Sequence, residues 1–277
     1  MPAEADLRLP DGRVLHAYDT GPADAALTVY WHHGTPNLGA PPEPLLPASA
    51  RLGVRWLAHD RPGYGPSTRR PDRDVAAVAG DAAAVADAFG VGRFAAMGAS
   101  GGGPHALACA AVLGDRVTAV ATAASIAPFG ADGLDWFAGM YAGGVAEFRA
   151  AEAGRAAMER HVATADFDPG MFIAADHAAL AGDWAWLGRV AGEAVAGGWA
   201  GAVDDDLAFA RPWGFDPGDV AVPVLVQHGA QDQCVPLAHG RWLALRCMHA
   251  EWRPYAGDGH VSVLRHGEDA LEWLVRR

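Results

Sequence analysis

Phe94-Ala95-Ala96-Met97-Gly98-Ala99-Ser100-Gly101-Gly102-Gly103-Pro104-His105-Ala106-Leu107 is the stretch from which the rest of the chain can be read. Its first six residues are apolar or small and predict a buried strand. Three glycines follow a serine, and the Ala- and Leu-rich run after them predicts a helix. Gly98-Ala99-Ser100-Gly101-Gly102 fits G-x-S-x-G, in which a serine occupies the tip of a sharp strand-to-helix turn. In so tight a turn, backbone two residues before and two after the serine is pressed together, so both positions favour a residue without Cβ. The following helix aims its first amides at the same point, where they favour developing negative charge. In a chain with 35 glycines the five-residue pattern alone is weak. The strand before it and the helix after it give it weight.

Working outward, strands and helices alternate on both sides. Leu7–Tyr18 alternates about Pro10-Asp11-Gly12 and predicts an antiparallel hairpin. Leu27–Trp31 and Val54–His59 read as strands covered on both faces, and they run into the turn-rich stretches His32-His33-Gly34-Thr35-Pro36 and Asp60–Gly65. Asp74–Phe89 keeps helical apolar spacing, with Gly90 suited to its C-terminal end. After the central stretch comes a strand at Val117–Ala123. A strand at Val222–Gly229, a helix at Pro236–Cys247, a strand at Glu251–Tyr255 and a closing helix at Glu268–Arg276 complete the series. Repeated strand–helix units imply a mostly parallel sheet with helices on both faces, an α/β fold.

Residues 128–212 break this alternation. Helical patterns occur near Trp136–Arg149, Arg155–Ala165, Gly170–Leu180 and Trp184–Val195, without a strand pattern. We read residues 1–127 and 213–277 as one core domain and 128–212 as a helical cap over its site. The alternative is a set of extra core helices.

Composition narrows the function classes. A chain of 277 residues with 51% apolar and 19% charged residues has ample material for a core. A net charge of −12 argues against nucleic acid or an anionic membrane as partner. All 21 basic residues are arginine. Cys109, Cys234 and Cys247 are too few and too scattered for a disulfide framework, and no C-x-x-C is present. The N-terminal stretch lacks the basic and apolar regions of a signal peptide, and no apolar run reaches about 18 residues. A soluble, cytoplasmic protein is expected, and a homodimer is left open.

A serine hydroxyl is a poor nucleophile until a base removes its proton, and an imidazole oriented by a carboxylate does so at neutral pH. Ser100, Asp232 and His260 each fall just beyond the C-terminal end of a predicted parallel strand, where open α/β sheets bind ligands. His249 and His266 compete for the role of base but read as surface residues. Asp258 and the run Asp204-Asp205-Asp206 compete for the acid; the first reads as a turn residue and the run as a solvated loop or helix start. His32 and His33 raise the question of metal, yet there is no H-E-x-x-H and no second histidine cluster, so a structural role at the strand end is expected. Asp60 and Arg61 read as turn-fixing residues.

From about Leu7 to its end the chain resembles the capped α/β-hydrolases of the esterase and proline-iminopeptidase-like kind. The resemblance rests on His33-Gly34-Thr35-Pro36, Asp60–Gly65, Gly98–Gly102, His228-Gly229-Ala230-Gln231-Asp232 and Gly259-His260. It implies the chain order nucleophile, acid, base, hence Ser100, Asp232 and His260. It also implies an oxyanion hole from the backbone N–H groups of Gly101 and Thr35. Proline iminopeptidases carry tryptophan directly after the nucleophile, whereas Gly101 stands here, which argues against peptide substrates. A serine nucleophile argues against haloalkane dehalogenases and most epoxide hydrolases of this fold, which use aspartate.

The expected activity is therefore a serine hydrolase, free of metal and cofactor, that cleaves a small or medium apolar ester or a lactone through an acyl-enzyme. Trp136, Trp184 and Trp186 of the cap are the expected lining of its apolar pocket. The alternatives are C–C bond hydrolysis or acyl transfer by the same three residues, a non-catalytic ligand receptor on the same scaffold, and a metal-dependent hydrolase.

Overall fold

The computed structural model describes residues 3–277. Leu9 N donates to Arg13 O across the Pro-Asp-Gly turn (2.8 Å), which folds β1 (Ala3–Arg8) against β2 (Val14–Asp19). β2 then pairs antiparallel with the edge of a parallel series. That series comprises β3 (Leu27–His32), β4 (Val54–His59), β5 (Phe94–Ala99), β6 (Val117–Ala123), β7 (Val224–Gly229) and β8 (Ala250–Tyr255). The eight strands lie in the order β1-β2-β4-β3-β5-β6-β7-β8. All six residues of β4, β5 and β7 are buried, as expected for strands covered on both faces.

The crossovers are helical. They are α1 (Leu46–Leu52) between β3 and β4, α2 (Ala77–Ala88) between β4 and β5, and α3 (Gly102–Leu113) between β5 and β6. α2 starts three residues later than the apolar spacing suggests: Asp74 lies before the helix, and its carboxylate accepts from the backbone N of Ala77, the first helical residue (2.8 Å). One core cluster includes Trp31, Trp56, Leu225, Leu271 and Trp273; a second includes Leu15, Tyr30, Leu57, Phe94 and Leu107.

Five helices are inserted between β6 and β7: α4 (Ala142–Glu152), α5 (Arg155–Thr164), α6 (Ala174–Ala181), α7 (Ala185–Val195) and α8 (Ala200–Phe209). The chain closes with α9 (Leu237–Arg246) between β7 and β8, and α10 (Gly267–Val275) after β8. The first inserted helix begins later than the expected Trp136, since residues 128–141 form turns that tuck the Trp136 ring into the core. α8 was not expected as a helix. Its Asp204-Asp205-Asp206 run is neither a solvated loop nor a helix start: it lies inside α8 with all three side chains buried, Asp204 and Asp205 against arginines described below.

Candidate active site

The turn after β5 holds Ser100 at a φ of +53°, a left-handed conformation that costs a non-glycine residue about 1 kcal/mol or more. The surroundings enforce it. Ser100 N donates to Ala123 O (2.9 Å) and Gly103 N to Ser100 O (3.0 Å). A Cβ at Gly98 would stand 2.3 Å from Gly102 O, and one at Gly102 would stand 1.9 Å from His32 O. The pattern G-x-S-x-G is therefore a steric requirement of this turn.

Asp232 lies in the turn after β7. Its Oδ1 accepts from Cys234 N (2.9 Å) and Val235 N (2.8 Å), which leaves Oδ2 to face His260. Burial works against the charge, but His260 and the hydrogen bonds outweigh it and bring the carboxyl down to about 2. His260 follows β8. Its Nδ1–H donates to Asp232 Oδ2 at 2.8 Å, and its Nε2 accepts from the Ser100 hydroxyl at 2.9 Å. Burial opposes protonation of the imidazole, yet the charge and hydrogen bond of Asp232 hold its pKa above the usual 6.5. The three side chains named from sequence thus form one hydrogen-bonded relay. Of the competitors, His249 is exposed, while His266 bonds Asp258 (2.8 Å) and stacks on Tyr255 (3.6 Å between ring centres).

Thr35 and Gly101 face each other across the serine: a Cβ at Gly101 would sit 2.6 Å from Thr35 Oγ1. The Thr35 loop is held from behind. Arg61, fully buried, donates from Nη1 to His33 O and from Nη2 to Gly34 O (2.9 Å) and Thr35 Oγ1 (3.1 Å). Arg61 is in turn bound by Asp205 of α8, whose Oδ2 also accepts from Thr35 Oγ1 (2.8 Å) and Tyr64 Oη (2.7 Å). Arg73 pairs with the same carboxylate. Burial favours the neutral acid, but Arg61 and Arg73 overcome it and hold Asp205 well below the carboxylate range. Arg61 thus does more than fix its turn; it ties the Thr35 loop to α8. Asp204 pairs with Arg69 and Arg155 (both 2.7 Å). Among the described residues Asp206 has no cationic partner. Burial and the neighbouring carboxyl of Glu147 push it well up, and burial pushes Glu147 up as well.

His33 Nδ1–H donates to Gly34 O (2.8 Å) and its Nε2 accepts from Arg61 N (3.0 Å), which occupies both ring nitrogens structurally. Asp232, Cys234 and His260 place ligand-type atoms within 4.8 Å of one another. The carboxylate and imidazole there are engaged with each other and with Ser100. The Cys234 thiol is pushed up by burial and donates to Met171 O (3.4 Å), so the thiolate a metal requires is disfavoured.

A cavity of about 610 Å³ opens above Ser100 and His260. Its walls include Trp31, Phe172, Leu180, Trp184, Trp186, Leu187, Val195 and Leu264, with Glu147, His161, Asp166 and Asp168 as its charged or titratable cap groups. Trp184 and Trp186 line it. Trp136 does not: its indole N–H donates to Ala127 O (3.0 Å) and its ring packs edge-on against Phe148 (4.5 Å) and His239 (4.8 Å), so the expectation that it contacts substrate is corrected. Trp31, at the end of β3, was missed because it reads as an ordinary core residue of a buried strand.

No helix among the described residues is long and apolar enough to cross a membrane. A segment of 74 residues is 36% identical to the pimeloyl-(acyl-carrier protein) methyl ester esterase of Aromatoleum aromaticum; it covers 26% of this chain and 30% of that protein. Among solved structures, a hydrolase from Pseudomonas aeruginosa PA01 superposes with a TM-score of 0.75 at 20% identity, over 99% of this chain and 97% of that one. The enol-lactonase of Burkholderia xenovorans LB400 gives 0.70 at 21%, over 98% of both chains. An esterase of Thermogutta terrifontis gives 0.70 at 20%, over 100% of this chain and 98% of that one. These likenesses are of fold. The model of the alpha/beta hydrolase fold family matches residues 28–266, and the chain is an enzyme of that family.

Proposed function

We propose that the protein hydrolyses a small or medium apolar carboxylic ester or a lactone through an acyl-enzyme on Ser100. The observation that carries this is the relay Ser100–His260–Asp232, with contacts of 2.9 and 2.8 Å, at the floor of a largely apolar cavity. His260 takes the Ser100 proton as Oγ attacks the carbonyl, then returns it to the leaving alkoxide. Asp232 keeps Nδ1 protonated and stabilises the imidazolium that forms. The N–H groups of Gly101 and Thr35 stabilise the oxyanion, and Arg61 and Asp205 keep the Thr35 loop in place for that. Water then repeats the sequence to release the acid.

The cap at residues 128–212 shapes the acyl pocket, with Trp184 and Trp186 as apolar contacts. Arg149 and Arg189 pair with Glu152 and Glu43, Arg155 with Asp204, and Arg160 is exposed. None of the four lines the cavity, whose lining includes the carboxyl groups of Glu147, Asp166 and Asp168 and no arginine. An apolar or hydrogen-bond-donating acyl group suits such walls better than an anionic one.

The test is a fluorophosphonate probe with Ser100→Ala in parallel. The probe labels Ser100 in the parent, and the variant loses both labelling and turnover of p-nitrophenyl esters, by about 10⁶ in kcat on the precedent of a protease nucleophile. Near-parental turnover in Ser100→Ala would end this reading.

A further inference from the structure

Outside the relay, one buried carboxylate grips the catalytic loop from the cap. Asp176 lies in the first turn of α6 and is 1% exposed. Its Oδ1 accepts from Val261 N (2.9 Å), Ser262 N (2.7 Å) and Ser262 Oγ (2.8 Å). Its Oδ2 accepts from His260 N (3.2 Å) and Ile173 N (3.2 Å). Three successive backbone donors of the core loop, beginning at His260, therefore converge on one cap side chain. The approach is close enough that a Cβ at Gly259 would sit 2.2 Å from Asp176 Oδ2, so only glycine fits there. Ser262 Oγ, besides donating to Asp176, accepts from Gly259 N (2.8 Å) and closes the loop on itself.

We propose that Asp176 is a positioning residue by which the cap fixes the His260 loop, so that the imidazole is aimed at Ser100 only while α6 is docked. This rests on the role of His260 as base given above. The backbone of residues 260–262 has no regular secondary structure at His260 to hold it, and a buried donor left without its acceptor is costly, so the loop and the carboxylate stabilise each other. A loop displaced by an ångström would lengthen the 2.9 Å contact between His260 and Ser100, and misplacement of that size can cost about 100-fold in rate. The carboxylate also contributes charge. The titratable groups around His260 are Asp232 with His228 behind it from β7, Cys234 from the turn that follows and Asp176 from α6, together with Tyr141, Glu147, His161, Asp166 and Asp168, which line the same cavity. Asp176 adds to Asp232 in favouring imidazolium.

The experiment is the pH dependence of kcat and KM for p-nitrophenyl butyrate in the parent and Asp176→Asn, with His260→Ala beside them. Asparagine keeps the shape but turns an N–H₂ group toward backbone donors and removes the charge. The expected result is a folded variant with kcat lowered about 10- to 100-fold, KM within about threefold, and the acid limb of kcat/KM moved to lower pH. The limb moves down because neutral imidazole is the active form and the lost charge no longer favours its protonation. A general loss of folded protein would lower the amplitude without moving the limb. The proposal is overturned if kcat stays within twofold, or if the loss appears in KM with the limb unmoved. Should Asp176→Asn fail to fold, Ser262→Ala removes the hydroxyl that donates to Asp176 and accepts from Gly259 N, and leaves the carboxylate with its backbone donors. It is expected to lower kcat about threefold or more at unchanged KM, and an unchanged kcat overturns the proposal. Turnover by His260→Ala would instead fail the assignment of His260 as base, whereas an inactive His260→Ala beside an unaffected Asp176→Asn fails this proposal alone.

Discussion

Replacing Asp205 with asparagine puts the charge network behind the Thr35 loop to a direct test. The carboxylate is completely buried and faces two buried guanidinium groups, Arg61 at 2.7 Å and Arg73, together with the hydroxyls of Thr35 and Tyr64. Asparagine preserves the volume and removes the only carboxylate that pairs with either arginine among the described residues. A single contact of this kind at about 4 Å is worth about 4 kcal/mol at an effective dielectric of 20. Measured losses on breaking a buried pair are about 3–5 kcal/mol. That figure is the cost of leaving two cations uncompensated, and not the net worth of the network against an apolar one. For a chain of this size it corresponds to a fall in Tm of about 6–20 °C. The pH dependence has a definite sign. Asp205 titrates lower in the folded than in the unfolded chain, where a carboxyl has a pKa of about 3.9, so its stabilisation is fully present above that value. It is lost as pH falls through the folded value, well below 3.9, and the gap between parent and variant closes there. Thermal scans and urea unfolding at neutral and acidic pH measure both effects. A variant that melts within about 2 °C of the parent at neutral pH would refute the network as described, and a gap that persists unchanged in acid would refute the ionised state of Asp205.

Three further outcomes follow from the same structure. Asp232→Asn keeps the fold but loses about 10⁴ in kcat, by the precedent of the buried aspartate in serine proteases, and shifts the acid limb of kcat/KM downward because Asp232 no longer raises His260; the same loss from Asp258→Asn instead would mean that the acid has been misassigned. Across straight acyl chains, kcat/KM rises about threefold to fourfold per added carbon, from about 0.8 kcal/mol per buried methylene, until the cavity is full and then falls; a flat profile would contradict an apolar pocket. A succinyl ester is a poor substrate beside its uncharged analogue, since its carboxylate meets Glu147, Asp166 and Asp168 in the cap and no arginine; a preference for it would overturn the account of the walls.

What could be read from the sequence was what depends on neighbours along the chain. The order of strands and helices follows from apolar period and turn residues, and Ser100, Asp232 and His260 could be picked because each closes a strand. The elbow was legible because its constraint is local: Gly98 and Gly102 touch backbone within a few residues or from the adjacent strand. The cap obeyed no such rule. Trp136 and Trp184 have the same residue type in the same Ala- and Gly-rich surroundings, yet one packs on Phe148 and the other lines the cavity. Asp204, Asp205 and Asp206 looked solvated because three acids in succession have nothing nearby to neutralise them. The cations that pair with Asp204 and Asp205 come from 49 to 144 positions away: Arg61, Arg69 and Arg73 from the stretch after β4, and Arg155 from the start of α5. One signal was present in the residues: Val203 and Leu207 flank the run at helical spacing, and a helix anchored by both would carry the acids inward with them. Asp176 left no such trace, because its partners are backbone N–H groups, which every residue but proline possesses. The proposed nucleophile, base and acid thus come from motifs at strand ends, while the proposed positioning residue Asp176 and the Thr35-loop partner Asp205 reach them through contacts that only folding creates. Substitutions at Asp176 and Asp205 should accordingly change rate and stability without altering any recognisable motif.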